Sequence, residues 1–247
     1  MDKPWFEDDY FWQAYAPLMF NEDRWADAPI EAERSARLLR LLPGSRLLDL
    51  CSGVGRHAMA FARLGHRVTG VDRTEPYLEA ARETAEAEGL EIEFVRDDVR
   101  RFVRPKFFDG AVNLFSSFGY FEDETEEALT VRNVARSLKS GGRFLIDVIG
   151  KEIVGRDFKE KDWFEEDGML VLAEYEIRRD WTRLLNRWII IRGGEKIDYS
   201  FSYVLYSAEE LTALLLSNGF SSVEIYGGLD GSRYDRCAKR LVAVGIK

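Results

Sequence analysis

The sequence predicts an α/β protein whose mostly parallel sheet carries helices on both faces and takes an antiparallel insertion late in the chain. Three observations support this. From residue 46 to residue 148 short apolar strands alternate with amphipathic helices, the spacing that lets a helix cross over between parallel strands. The period then changes to long strand-like runs joined by tight turns. The 247 residues are 46% hydrophobic with only 6 Pro, enough apolar material for a substantial core and too little Pro for a disordered chain.

Residues 1–26 form an arm with eight aromatics: Trp5, Phe6, Tyr10, Phe11, Trp12, Tyr15, Phe20 and Trp25. Interleaved with Glu7, Asp8 and Asp9, they read as an amphipathic segment docked on the body, as a core seal, a lid over a ligand, or both. A helix is expected from Asp27, with Pro29 in its first turn and Pro43-Gly44 beyond its end. Strand one, 46–50, leads into Cys51-Ser52-Gly53-Val54-Gly55 and a helix bearing Ala58, Phe61, Ala62 and Leu64. Strand two is 67–72, followed by a helix over 74–88 with Leu78, Ala81 and Ala85 on one face. Strands three and four are 91–95 and 110–114; a helix over 123–139 opens with capping-box spacing at Asp123 and Glu126, and strand five is 143–148.

Residues 169–179, 183–192 and 196–206 then read as a three-stranded antiparallel meander, turning at 180–182 and 193–195. Its Trp188, Tyr199, Tyr203 and Tyr206 need cover, over an acceptor or in a homodimer. A second capping box, Ser207 and Glu210, opens the last helix; strands 223–226 and 240–246 flank a polar, Gly-rich loop, 227–235. The expected organisation is an arm (1–26), a ligand-binding unit (27–150), an inserted meander (151–206) and a segment completing the main sheet (207–247).

Composition narrows function. With 35 Lys+Arg against 44 Asp+Glu the net charge is -9, which disfavours a chain built to coat nucleic acid or anionic membrane. Cys51 and Cys237 make no disulfide framework, and with two histidines there is no metal spacing. No 18-residue uncharged apolar run occurs, so a soluble, cytoplasmic protein is expected.

The chemistry is concentrated at 47–56. A glycine loop between strand and helix lets backbone approach a ligand at the carboxyl end of the sheet. Asp72 ends strand two, 23 residues after Asp49, where a carboxylate can hold both ribose hydroxyls of an adenosine ligand. Asp97-Asp98 is a third acidic strand end. The spacing does not fit G-x-G-x-x-G, and no triphosphate loop is present. Asp49 close to the loop repels a pyrophosphate but suits a ligand carrying ammonium and sulfonium groups.

This run resembles motif I, D-x-G-x-G-x-G, of the class I S-adenosylmethionine-dependent methyltransferases. Asp49, Gly53 and Gly55 match, and Cys51 stands where the motif has its first glycine. The resemblance covers about 40–150 and 206–247. It includes Asn113 to Phe121, like the stretch flanking the methyl group, and Leu138-Lys-Ser-Gly-Gly, like the entry to strand five. It implies a Rossmann-like, seven-stranded sheet, S-adenosyl-L-methionine as cofactor, S-adenosyl-L-homocysteine as product, and no metal. By resemblance Asp49, Cys51, Gly53 and Gly55 meet the methionine part and Asp72 the ribose. Asp98, or its neighbour Asp97, meets adenine with Val99 beside it, and Asn113 and Phe115 lie near the methyl group. Arg73 either stacks on adenine or is a solvated charge. His57 is read as helix packing before catalysis, and His66 as structural.

Methyl transfer from a sulfonium is one in-line displacement, so alignment supplies much of the acceleration and a base is needed only for a protonated acceptor. The candidates for that base are Tyr120, Asp147 and Tyr234. The acceptor walls are expected in Tyr10, Trp12 and Tyr15 of the arm, Phe118 and Tyr120 after strand four, and Arg233 in the 229–235 loop. The leading function is methylation of a small molecule at oxygen or nitrogen. RNA or protein methylation is the runner-up; a cationic face of Arg178, Arg179, Arg183, Arg187 and Arg192 would favour RNA. A regulatory protein that binds the cofactor without chemistry, and a nicotinamide-linked oxidoreductase, complete the set.

Overall fold

Strand β1 (Arg46–Leu50) is buried over its last four residues, and the main sheet is assembled outward from it. The computed structural model describes residues 3–247; Met1 and Asp2 of the arm lie outside the described residues. β1 pairs in parallel with β2 (Arg67–Asp72) on one side and β4 (Phe108–Asn113) on the other. Beyond β2 lies β3 (Ile92–Arg96), and beyond β4 lies β5 (Leu138–Val148), both parallel. β11 (Leu241–Ile246) runs antiparallel to β5 and carries β10 (Ser222–Tyr226) on its far edge. The order β10-β11-β5-β4-β1-β2-β3 is a seven-stranded, mostly parallel sheet, as expected.

Helices α3 (Arg56–Arg63), α4 (Glu75–Ala87), α5 (Glu124–Ser137) and α7 (Ala208–Ser217) cover its faces. On one face Phe108, Val131, Phe144, Ile146, Leu211 and Phe220 pack together; on the other, Leu47, Phe61, Val68, Val112, Leu145 and Val242 do so. Strands buried on both faces explain the near-continuous apolar runs of the sequence.

The insertion has four strands where the sequence predicts three. β7 (Met169–Arg178), β8 (Arg183–Arg192) and β9 (Glu195–Val204) follow the expected meander, and β6 (Lys161–Glu166) adds an edge. β6 reads Lys-Asp-Trp-Phe-Glu-Glu, without an alternating apolar pattern, and such charge is how an exposed edge avoids pairing with other chains. A short helix, α6 (Lys151–Asp157), also precedes it unannounced.

The arm is helical. A 3-10 turn at Trp5–Glu7 leads to α1 (Asp9–Met19), capped by Asp8, and Phe11, Tyr15 and Leu18 of α1 pack on Met169, Val171 and Ile190 of the second sheet. α1 therefore covers the aromatic surface of the meander. The next helix, α2 (Glu22–Leu38), starts five residues before Asp27 and runs through the expected 26/27 boundary. The Asn21 side chain accepts the Arg24 N–H, and Glu22 and Asp23 favour the positive end of the helix dipole. Pro29 thus sits inside the helix and forgoes one backbone bond. Asp123 caps α5 through the Thr125 N–H, but Glu126 does not close a capping box, because Arg100 takes its carboxylate at 2.6 Å. The box at Ser207 and Glu210 is complete. Among the described residues no helix is long and apolar enough to cross a membrane.

Phe144 is fully buried and stacks on Phe220 with ring centroids 6.0 Å apart. Phe144→Ala should cost about 3–5 kcal/mol in urea unfolding with an unchanged slope. A loss below about 1 kcal/mol would mean that this face is loosely packed.

Candidate functional site

Three left-handed residues within five, Cys51 (φ 58°), Gly53 (55°) and Gly55 (78°), turn the chain from β1 into α3. Gly55 has no room for a side chain, since a Cβ there would lie 2.9 Å from the Phe94 ring. Cys51 holds a conformation that glycine adopts without steric cost, which is the physical content of its departure from the motif. Burial pushes its thiol well above the ordinary range.

Asp72, at the end of β2, anchors this loop. Its Oδ2 accepts the Gly53 N–H at 2.9 Å and its Oδ1 accepts the Thr74 N–H at 2.8 Å. Burial raises its pKa while those amides oppose the rise. Asp49 lies beneath the loop, 2% exposed, and its Oδ2 has no hydrogen-bond partner. Burial lifts Asp49 to about 7, against the pull of Arg56 and with the repulsion of Asp72.

An inner cavity opens above Asp72, walled by Cys51, Gly53, Arg73, Asp97, Asp98, Val99 and Phe115 and closed by Trp12, Phe20, Tyr77 and Tyr120. Most expected cofactor residues therefore converge. Asn113 does not line the cavity; its side-chain amide donates to the Leu50 and Ser117 carbonyls and braces the turn after β4. Nor does Gly55, whose part is the turn itself. Asp98 is held by Arg100 at 2.6 Å, and Arg100 also reaches Glu126 and Glu7. Arg73 donates to the Phe6 carbonyl at 2.8 Å and lies 3.7 Å from Asp9, so it tethers the arm and is not a free surface charge.

A second, outer chamber of about 840 Å³ lies between α1, the second sheet and the end of β5. Trp12, Met19, Phe115 and Tyr120 line both spaces and form their junction. Trp12, Tyr15 and Tyr120 are where the sequence predicts acceptor walls. Five other expected residues are placed or engaged differently. Tyr10 is 63% exposed beside Tyr199 and faces solvent, since α1 turns Phe11 and Tyr15 inward instead. Phe118 is buried in the main core against Tyr206. Arg233 and Tyr234 border a separate surface depression, and the Tyr234 hydroxyl donates to Glu152 at 2.8 Å. Asp147 does line the chamber, but as a counter-ion: Arg240 holds it at 2.7 and 3.0 Å, and its Oδ2 also accepts the Phe115 N–H.

The sequence reading missed Arg24, Glu31 and Arg240. Glu31 lines the chamber and binds His57 Nε2 at 2.7 Å and Arg56 at 3.0 Å. Burial alone would raise Glu31, but His57 and Arg56 outweigh it and hold the carboxyl at about 2. Arg24 lies over the Phe115 ring at 4.2 Å, with Arg56 at 4.7 Å and Arg240 at 5.8 Å from the same centroid. The available signal was the seven-residue spacing of Arg24 and Glu31, which places both on one face of α2. Among the described residues no cluster of His, Cys, Asp and Glu could hold a metal ion.

Comparison with known proteins agrees with this geometry. Residues 47–142 match the family model described as a methyltransferase domain. The ubiquinone biosynthesis O-methyltransferase of Nitrosococcus oceani is 31% identical over 110 residues, 44% of this chain and 46% of the relative. The matched stretch spans about half the length of the curated relatives, or less: 42% and 49% in two further cases. A crystal structure of an S-adenosylmethionine-dependent methyltransferase from Clostridium acetobutylicum superposes with TM-score 0.78 at 16% identity, covering 96% of this chain and 98% of that one. The sugar N-methyltransferase KedS8 from Streptoalloteichus sp. gives 0.70 at 24% identity, covering 93% and 92%. The likeness of fold thus extends over nearly the whole chain.

The raised Asp49 pKa has a stability consequence. Between its ordinary value of 3.8 and about 7 the folded state holds a proton that the unfolded chain has released, so stability falls as pH rises through that window. The slope per carboxylate is at most about 1.4 kcal/mol per pH unit. Urea unfolding should show greater stability at pH 5.5 than at pH 7.5. Asp49→Asn should remove part of that difference; Glu127, which burial also lifts to about 7, and the raised Asp72 act in the same direction, while the lowered His57 and His66 oppose them. A slope unchanged in Asp49→Asn would contradict this account.

Proposed function

We propose that this chain, a member of the class I S-adenosylmethionine-dependent methyltransferase family, moves a methyl group from S-adenosylmethionine to an oxygen or nitrogen of a small acceptor by in-line displacement. The observation that carries the proposal is the meeting of the two spaces at Phe115 and Tyr120. One space is walled by the glycine loop and an oriented carboxylate, the other by aromatic rings.

The residues present fit the cofactor. Asp72, aimed by two backbone amides, would take the ribose hydroxyls. Asp97 and the Asp98-Val99 backbone would meet the adenine edge, since the Asp98 carboxylate is already committed to Arg100. Arg24, stacked on Phe115 without a carboxylate partner among the described residues, lines the outer chamber beside the junction, where it would meet an anionic group. The unpartnered Asp49 Oδ2, which burial keeps protonated below about pH 7, would ionise more readily beside a cationic ligand. When bound, the cofactor supplies an electrophilic methyl group. The chain then positions the acceptor and excludes water, through the α1 rings above and Tyr120 at the junction.

Asp147 is spent on Arg240 and Tyr234 lies outside the chamber, so Tyr120 remains of the three base candidates. His57 also lines the inner cavity, where burial lowers its pKa and Glu31 orients its ring. The relatives include an O-methyltransferase and a sugar N-methyltransferase, which supports a small acceptor and leaves both atom types in play. The arginines of the meander also favour this reading over RNA. Arg178 pairs with Glu176, Arg187 with Glu174 and Asp198, and Arg183 is buried, which leaves little free cationic face.

Incubation with a radiolabelled methyl donor and size-fractionated cell extract should label the low-molecular-weight fraction; label in RNA or protein would overturn the acceptor assignment. By calorimetry, Asp72→Ala should weaken S-adenosylhomocysteine binding about 30–150-fold, the equivalent of about 2–3 kcal/mol for a buried charged hydrogen bond. Unchanged affinity in a folded variant would remove Asp72 from the ribose. With the acceptor in hand, Tyr120→Ala should lower kcat/KM, while Tyr234→Ala should not.

A further inference from the structure

We propose that Arg183 of the inserted sheet and Glu127 of α5 are positioning residues that fix the Tyr120 wall of the cofactor cavity. Neither side chain lines the inner cavity or the outer chamber. The proposal rests on the methyltransferase reading for what that wall does, but not for how it is held.

The turn after β4 makes no regular secondary structure, yet its backbone polar groups are satisfied almost one by one from elsewhere. The Ser117 carbonyl accepts from Asn113, and the Gly119 carbonyl accepts the Val204 N–H of β9 at 2.7 Å. Arg183 then spans the next two carbonyls: its Nη2 donates to Tyr120 at 3.2 Å and its Nη1 to Phe121 at 3.0 Å. From the other side Glu127 accepts the Phe121 N–H at 3.3 Å. Gly119 permits the close approach, with φ 96° and space for a Cβ only 3.0 Å from the Val204 carbonyl oxygen.

Arg183 is 5% exposed and Glu127 1% exposed, so both were taken out of water to make these bonds. Burying a guanidinium is tolerable only where its donors are satisfied. Here the satisfied partners are the two carbonyls, the Ser202 hydroxyl at 3.0 Å and Glu122 at 3.2 Å. A planar fork can bridge consecutive carbonyls, whereas a lysine ammonium is a point donor. The consequence is mechanical: Ser117, Tyr120 and Phe121 line the cofactor cavity, and their place is set by a strand of the insertion. The second sheet is thus part of the cofactor site without touching the cofactor.

The experiment combines binding with hydrogen exchange on the full chain. Arg183→Gln should weaken S-adenosylhomocysteine binding about ten-fold in calorimetry, with Arg183→Lys recovering part of the loss. If Arg183 acts through Tyr120, the same substitution on a Tyr120→Ala background should cost no more than about two-fold. Amides of Phe121 and Val204 should exchange at least about ten-fold faster in Arg183→Gln, while β1 and β4 amides stay protected. Glu127→Gln, which keeps an acceptor oxygen, should give a smaller change in the same amides. Additive losses, or unchanged exchange at Phe121 and Val204, would overturn the proposal. Should the native chain bind no S-adenosylhomocysteine, the methyltransferase reading falls, and the exchange data alone decide whether Arg183 and Glu127 hold the turn.

Discussion

The Asp72 carboxylate joins two elements that would otherwise be independent. One oxygen holds the glycine loop after β1 and the other holds the start of α4 after β2. Neighbouring parallel strands deliver both elements to the same edge of the sheet, where ligands of open α/β folds bind. A carboxylate gripped by two amides is fixed in direction and still presents lone pairs outward, because each oxygen can accept more than one hydrogen bond. The glycine loop gains its shape and the cavity its polar floor from a single side chain. The Asp98–Arg100 pair and the Arg73 tether extend the same device around the rim, joining the strand ends to the arm.

What was legible in the sequence follows from how local each signal is. β1, β2 and the turn between β1 and α3 depend on apolar runs and on glycines at fixed offsets, so they could be placed to the residue. Asp72 and the acidic end of β3 were legible because a strand end is both a sequence position and a place at the ligand edge. β6 was hidden, since an edge strand of charged residues carries no apolar period. The start of α2 was misplaced because Asn21 and Asp27 are both good caps, and only the fold decides between them. Asp147 and Tyr234 failed as base candidates for one reason: their partners, Arg240 and Glu152, come from 93 and 82 residues away, a distance no spacing rule spans.

The arm and the insertion add the outer chamber to the cavity at the edge of the main sheet. α1 packs its Phe11 and Tyr15 rings on β7 to β9, with Tyr15 stacked on Trp188 at 5.6 Å. Tyr77 of α4 donates to the Trp12 carbonyl, and Trp5 donates its indole N–H to the Ser202 carbonyl of β9. The arm is therefore hydrogen-bonded to both sheets. Its aromatic rings seal the second sheet, and Trp12 and Tyr15 among them also line the chamber.

The site also concentrates features that cost folding free energy. Cys51, Phe115 and Ser116 hold left-handed conformations, and Asp49, Ser52 and Asn113 each leave a buried oxygen without a partner. Each such feature costs on the order of 1–3 kcal/mol, and the surrounding contacts have to sustain it. All six lie on the two turns that follow β1 and β4 or on the strand ends leading into them, where backbone and ligand must come close. The packing of the main-sheet core is what makes them tolerable. A ligand that satisfies even one of those oxygens, or that lets Asp49 ionise against a positive charge, recovers part of that cost on binding. Ligand binding at this cavity and folding stability are then coupled through the same few residues.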